Sequence, residues 1–109
     1  MSTAIDPSAL EQMADMAGGD RSFVVEIIDE YLTDSATLLA ALRESSGKDL
    51  RRAAHTLKST SASVGAGRLA ALCSRIEQAG AADADLLDEA EREHADVRSA
   101  LAQQRMAFS

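Results

Sequence analysis

Apolar residues recur three and four positions apart along most of this chain, and no stretch sustains the strict alternation of a strand, so the pattern predicts helices throughout. Glycine and proline punctuation divides it into five segments. In the first, Asp6 is the predicted N-cap and Pro7 the first helical residue, and Gly18-Gly19 stop the helix. Asp20 then caps a longer helix reaching about Ser45, with Phe23, Ile27, Ile28, Tyr31, Ser35, Leu38 and Leu42 tracing its inner stripe. A third helix runs from about Lys48 to Val64, and Gly65 suits the left-handed C-terminal cap. The fourth begins near Gly67, carries Leu69, Leu72, Cys73 and Ile76 on one face, and stops at Gly80. The fifth starts near Asp83 and packs through Leu87, Ala90, Val97 and Leu101, with the closing "RMAFS" expected to fray.

Short connections between amphipathic helices favour antiparallel neighbours. The expected fold is therefore all-α: an antiparallel up-down four-helix bundle, with a short additional N-terminal helix across one end. A length of 109 residues suits a single domain, residues 1–109, able to bury roughly 60 to 70 per cent of its unfolded surface around one core.

Composition narrows the setting. The single cysteine, Cys73, has no internal disulfide partner and falls on an apolar stripe, which reads as an inert core thiol. The opening "MSTAIDPSAL" has neither the basic start nor the apolar region of a secretory leader, and no apolar run approaches the ~20 residues that cross a bilayer. A reducing, cytoplasmic setting without membrane association is expected. A net charge of -7 argues against nucleic acid as a partner, since phosphate contacts need clustered cations.

That charge is unevenly spread. From Arg43 to Arg75 seven cations face two anions, giving +5, while the remainder holds four cations and sixteen anions, giving -12. The basic segment reads either as a solvated face or as a local field suited to a small anion or an acidic pocket on a partner.

One histidine, His55, lies inside this segment, in "RRAAHTLKSTSASVGAGRLAALC". With Leu50 as the origin and ~100° per residue, Ala54, Leu57, Ser61 and Val64 cluster near the buried direction, whereas His55 projects roughly 140° away. A satisfied core histidine belongs inside the stripe, so the projection favours display. The surrounding face is low and positive, with Arg51 at i-4, Lys58 at i+3, and the small residues Ser59 and Ala62 beyond. Small residues let another backbone approach, and Lys58 can reach an anion attached to the ring. An exposed imidazole is largely neutral at cytoplasmic pH and keeps one free lone pair, as a nucleophile accepting a phosphoryl group requires.

From Leu50 to Gln78 the residues resemble the histidine-containing phosphotransfer (HPt) domains of two-component phosphorelays. The ordered features are His55, Lys58 three residues later, a run of small residues, the helix-ending Gly65, and "RLAALCSRIE". "GGDRSFVVEIIDEYL" also looks like the family's approach to its second helix. The resemblance implies that His55 is the phosphoacceptor through Nε2, that Lys58 holds a phosphoryl oxygen, and that Gly65 is structural. It implies docking over Arg51, Ser59 and Ala62, with Ser59 standing where glycine often follows the lysine. Glu77 occupies a position where some members use glutamine to orient the imidazole; a carboxylate there either accepts the Nδ1 proton or stands solvated.

The implied function is histidine phosphotransfer: a phosphoryl group passes to and from the aspartate of response-regulator receiver domains in a multistep phosphorelay. The implied partners are those receivers and a sensor histidine kinase. The protein would be a monomeric phosphocarrier rather than an enzyme. It would hold no cofactor or metal of its own, with Mg²⁺ on the partner receiver, and no nucleotide-binding glycine motif is found in the sequence.

Three rival readings remain. A bundle of this kind could bind receivers without exchanging phosphate. A kinase dimerisation and phosphoacceptor fragment also carries a surface histidine, but usually follows it with an acidic residue and a proline, whereas Thr56, Leu57 and Lys58 follow here. Glu91 and His94 form an E-x-x-H spacing used in di-iron bundles, but His94 projects onto the apolar stripe of the last helix and is expected to be packed and hydrogen-bonded.

Overall fold

A computed structural model describes residues 4–81 and 83–109. It contains α1 (Pro7–Met16), α2 (Arg21–Glu44), α3 (Gly47–Ser63), α4 (Gly67–Ala79) and α5 (Ala84–Phe108), and no strand among the described residues. Three of the starts follow from one local device. The carboxylates of Asp6, Asp20 and Asp83 accept backbone N–H bonds from Ser8, from Ser22 and Phe23, and from Asp85 and Leu86, satisfying donors that a first helical turn leaves unpaired.

The packing closes a ring. α3 lies most extensively against α4 and also against α2, α5 contacts both α2 and α4, and α1 rests on α2. The interior is almost wholly aliphatic, with Leu10, Val24, Ile28, Leu42, Leu50, Leu57, Leu69, Ile76, Val97 and Leu101 fully buried. Each such side chain contributes about 1.5–3 kcal/mol by leaving water, which is why helices with one apolar stripe hold together as a bundle. No helix among the described residues is long and apolar enough to cross a membrane.

Three expectations are corrected. The buried stripe of α2 is Val24, Ile28, Tyr31, Ser35, Leu39 and Leu42; Phe23 is 39% exposed, and Ile27 and Leu38 are only half-buried. Phe23–Ile27 and Val24–Ile28 have the same spacing, so periodicity alone does not choose between them, and contact with α3 and α5 does. Leu72 is likewise half-buried beside a core row of Leu69, Cys73 and Ile76. The C-terminal "RMAFS" does not fray: α5 is helical to Phe108, which is buried. The guanidinium of Arg21 lies 4.1 Å from the centre of its ring and donates to the Ala107 carbonyl at 3.1 Å, so a cation from the start of α2 satisfies the end of α5.

Gly65 does more than stop α3. Its φ of +83° is left-handed, its carbonyl accepts the Asp6 N–H at 2.8 Å, and a Cβ there would stand 2.5 Å from the Asp6 carbonyl oxygen. The turn after α3 thereby anchors the start of α1. Gly65→Ala is expected to cost about 2 kcal/mol or more, from left-handed strain plus displacement of that backbone. A urea midpoint unchanged from wild type would refute this.

Four buried polar side chains pair within the bundle, whereas Glu93 Oε2 is buried without a hydrogen-bond partner among the described residues. Tyr31 and Ser61 hydroxyls lie 2.8 Å apart, and Ser35 Oγ lies 2.8 Å from His94 Nε2. Burial, the larger cause, and the charge of Arg98 hold the His94 pKa below its ordinary 6.5. The unfolded chain therefore takes up this proton before the folded protein does. Stability is full above about pH 6.5 and declines as pH falls through the depressed folded value. Urea midpoints measured at about pH 7.5 and 5.5 should drop for wild type and much less for His94→Gln; equal slopes in the two proteins would rule His94 out as the cause. Burial also pushes the Cys73 thiol up to about 12, leaving it protonated and unreactive.

Candidate functional site

α3 is amphipathic, and its direction is set by Leu50, Ala53, Ala54, Leu57 and Ser61, all turned inward. His55 consequently stands on the outer side, its side chain 61% exposed. Arg51, Ser59 and Ala62 are exposed on the same side of the helix.

α4 supplies the other half of the site. Leu69, Cys73 and Ile76 fix its inner row, which brings the next residue, Glu77, to the rim against α3. One carboxylate oxygen, Oε2, lies 3.0 Å from His55 Nδ1, and the other accepts from Lys58 Nζ at 2.8 Å. Of the two outcomes left open for Glu77, the structure shows it bonded to the imidazole.

The electrostatics follow from that bridge. The Lys58 hydrogen bond first, and the His55 bond after it, hold the Glu77 carboxyl below its ordinary 4.5 against partial desolvation. Glu77 is therefore a carboxylate at neutral pH and can only accept. The Nδ1 facing it must carry the ring proton, and in the neutral ring Nε2 is left with its lone pair. Lys58, expected to face an anion on the ring, has its ammonium on Glu77 instead; two of its three N–H donors remain for other partners.

The basic segment is partly neutralised within the fold. Arg43 pairs with Asp88 and Glu91, and Arg68 lies 3.5 Å from Glu93. Glu91 and His94, one E-x-x-H unit in sequence, are drawn to separate points on α2, to Arg43 and to Ser35, about two turns apart. They do not converge on a shared point.

One surface went unread in the sequence. Met13 and Met16 of α1, Ala17 just after it, Phe23 of α2, and Ala62 and Ser63 of α3 line an open, mainly apolar groove of about 670 Å³. Met16 is 89% exposed there. The signal was the pair of large apolar residues Met16 and Phe23 on either side of Gly18-Gly19, of which periodicity assigned Phe23 to the core. Ala62 is two turns beyond His55 on the same face, so the groove continues the row that carries the histidine.

The site is thus an exposed imidazole on a helical bundle, its Nδ1 held by a half-buried carboxylate and its Nε2 left with a lone pair. The Hpt domain family model matches residues 23–106, and the chain belongs to the Hpt domain family. In three dimensions it is similar to the crystal structure of histidine-containing phosphotransfer protein B (HptB) from Pseudomonas aeruginosa PAO1, with a TM-score of 0.84 and 25% identity over 100% of both chains. Among curated proteins none matches.

Proposed function

We propose that His55 is the residue through which this Hpt-domain protein carries out histidine phosphotransfer in a phosphorelay. The observation that carries the reading is the Glu77 Oε2 to His55 Nδ1 bond of 3.0 Å, which leaves Nε2 as the exposed nucleophile.

The chemistry balances without a base. Nε2 attacks the phosphorus of a receiver's aspartyl phosphate in line; the N–P bond forms as the O–P bond breaks, and the electron pair leaves on the aspartate carboxylate. The ring keeps its Nδ1 proton and becomes positive, and the Glu77 carboxylate stabilises that charge. Reversal returns the group. Lys58 keeps one donor on Glu77 and offers another to a phosphoryl oxygen. The receiver supplies Mg²⁺ and its acidic pocket, and the protein itself works as a phosphocarrier without a nucleotide site, cofactor or metal of its own.

Docking takes place over Ser59 and Ala62 and along the apolar groove, with Arg51 at the other edge of the histidine. The closed ring of α2 to α5 and the short turns between them support an antiparallel up-down four-helix bundle with α1 as an added helix, residues 1–109 acting as one domain. We place this monomeric carrier in the cytoplasm, between a sensor histidine kinase and its receivers, and off nucleic acid and membranes.

Incubation with a phosphorylated receiver is expected to leave an acid-labile phosphoryl group on the peptide containing His55. Label mapping to any other residue would overturn the assignment.

A further inference from the structure

Arg51 is the one residue of the basic face whose environment in the fold is specific and whose charge is not spent. A methyl group at Gly80 would overlap the Arg51 guanidinium, lying 2.7 Å from Cζ and 2.8 Å from Nε. The guanidinium is therefore laid across the end of α4, at a left-handed glycine (φ +66°) whose N–H caps the Ile76 carbonyl. The partial negative charge of a helix C-terminus favours a cation there. Among the described residues no carboxylate lies within 4 Å of it, whereas Arg21, Arg43, Lys58, Arg68 and Arg105 all have one.

Its position relative to the histidine is equally defined. Arg51, His55 and Lys58 follow at one-turn spacing on α3, and Gly80 and Glu77 are one turn apart on α4, with Glu77 meeting His55 and Lys58 and Gly80 meeting Arg51. Side chains on a helix lean toward its N-terminus, so the imidazole leans over the turn that Arg51 occupies. Charge then distinguishes the two flanking cations. Lys58 and Glu77 cancel each other, so a phosphoryl group of roughly -2 on a positive ring leaves the site with a net negative charge.

We infer that Arg51 is a second phosphoryl-holding cation, its planar fork kept within reach of the group on His55 Nε2 by the absence of a side chain at Gly80. This rests on His55 being the phosphoacceptor. It assigns Arg51 a role in the transferred group itself rather than in the partner's surface.

The test uses the intact chain and phosphoramidate, a small donor that needs no receiver. Its P–N bond breaks, ammonia leaves with the electron pair, and the Nε2–P bond forms. ³¹P NMR then follows the phosphoryl group through a pH titration in wild type, Arg51→Gln, Arg51→Lys and Arg52→Gln. The last variant removes a neighbouring exposed cation and so matches the loss of net charge. Removing a cation that touches the phosphoryl group raises its pKa. The expected rise is about half a unit or more for Arg51→Gln, smaller for Arg51→Lys, and absent for Arg52→Gln. Equal titrations in wild type and Arg51→Gln, or an equal rise in Arg52→Gln, would overturn the inference. So would slowed exchange with a receiver while the phosphoramidate titration stays unchanged, which would make Arg51 a docking contact. No phosphohistidine on the wild type under either donor would remove the underlying reading of His55 as well.

Discussion

Glutamine at His55 is expected to leave a folded protein that takes no phosphoryl group at all from a phosphorylated receiver. The fold should survive because the side chain is mostly exposed and lies off the Leu50, Leu57, Ser61 row. Surface substitutions of this kind usually change stability by no more than about 0.5 kcal/mol. Glutamine keeps similar bulk and can still bond Glu77, but its amide nitrogen has no lone pair available for attack. The measurement is transfer of label from the receiver, read beside circular dichroism of the same sample. Label on the variant at even a tenth of the wild-type rate would move the nucleophile elsewhere, His94 being the other histidine. His94 is 5% exposed and bonded to Ser35, so the structure offers it no route to a partner.

The second large effect is expected at Glu77. Alanine there removes the acceptor of the Nδ1 proton and the counter-charge for the ring once it carries phosphorus. Partners that orient an imidazole in this manner are typically worth about 10–100-fold, and transfer by Glu77→Ala is expected to fall within that range. Glutamine should fall between, since its carbonyl oxygen can still accept from Nδ1 but no longer offsets the charge of the ring or of Lys58. Stability should change little, because partly exposed ion pairs contribute about 0–1 kcal/mol. Single-turnover transfer from a phosphorylated receiver, compared across the three proteins at neutral pH, provides the check. Alanine within twofold of wild type would reduce the Glu77 bridge to a surface contact.

Much of the architecture was legible because its causes are local. Asp6, Asp20 and Asp83 cap within three residues of themselves, and Gly65 and Gly80 end helices through their own φ. The outward projection of His55 needed only the helical period and the position of Leu50. What could not be read depends on groups distant in the chain. The buried end of α5 is made by Arg21, 86 residues before Ala107. The choice between Val24 and Phe23 belongs to the neighbours of α2. Glu77 had two open roles until the separation of α3 and α4 was known, and for the same reason Lys58 could not be seen to share its carboxylate.

The turns of α3 between His55 and Ala62 are also a measure of length. At 1.5 Å per residue, His55 lies about 10 Å along the helix axis from Ala62 in the wall of the apolar groove. Because the Gly65 turn binds the start of α1 to the end of that same helix, groove and histidine keep a fixed offset. A partner that seats in the groove must carry its own reactive carboxylate at the matching distance. One with the wrong spacing would bind and exchange nothing, so on the proposed function the helix would select partners by ruler as well as by surface.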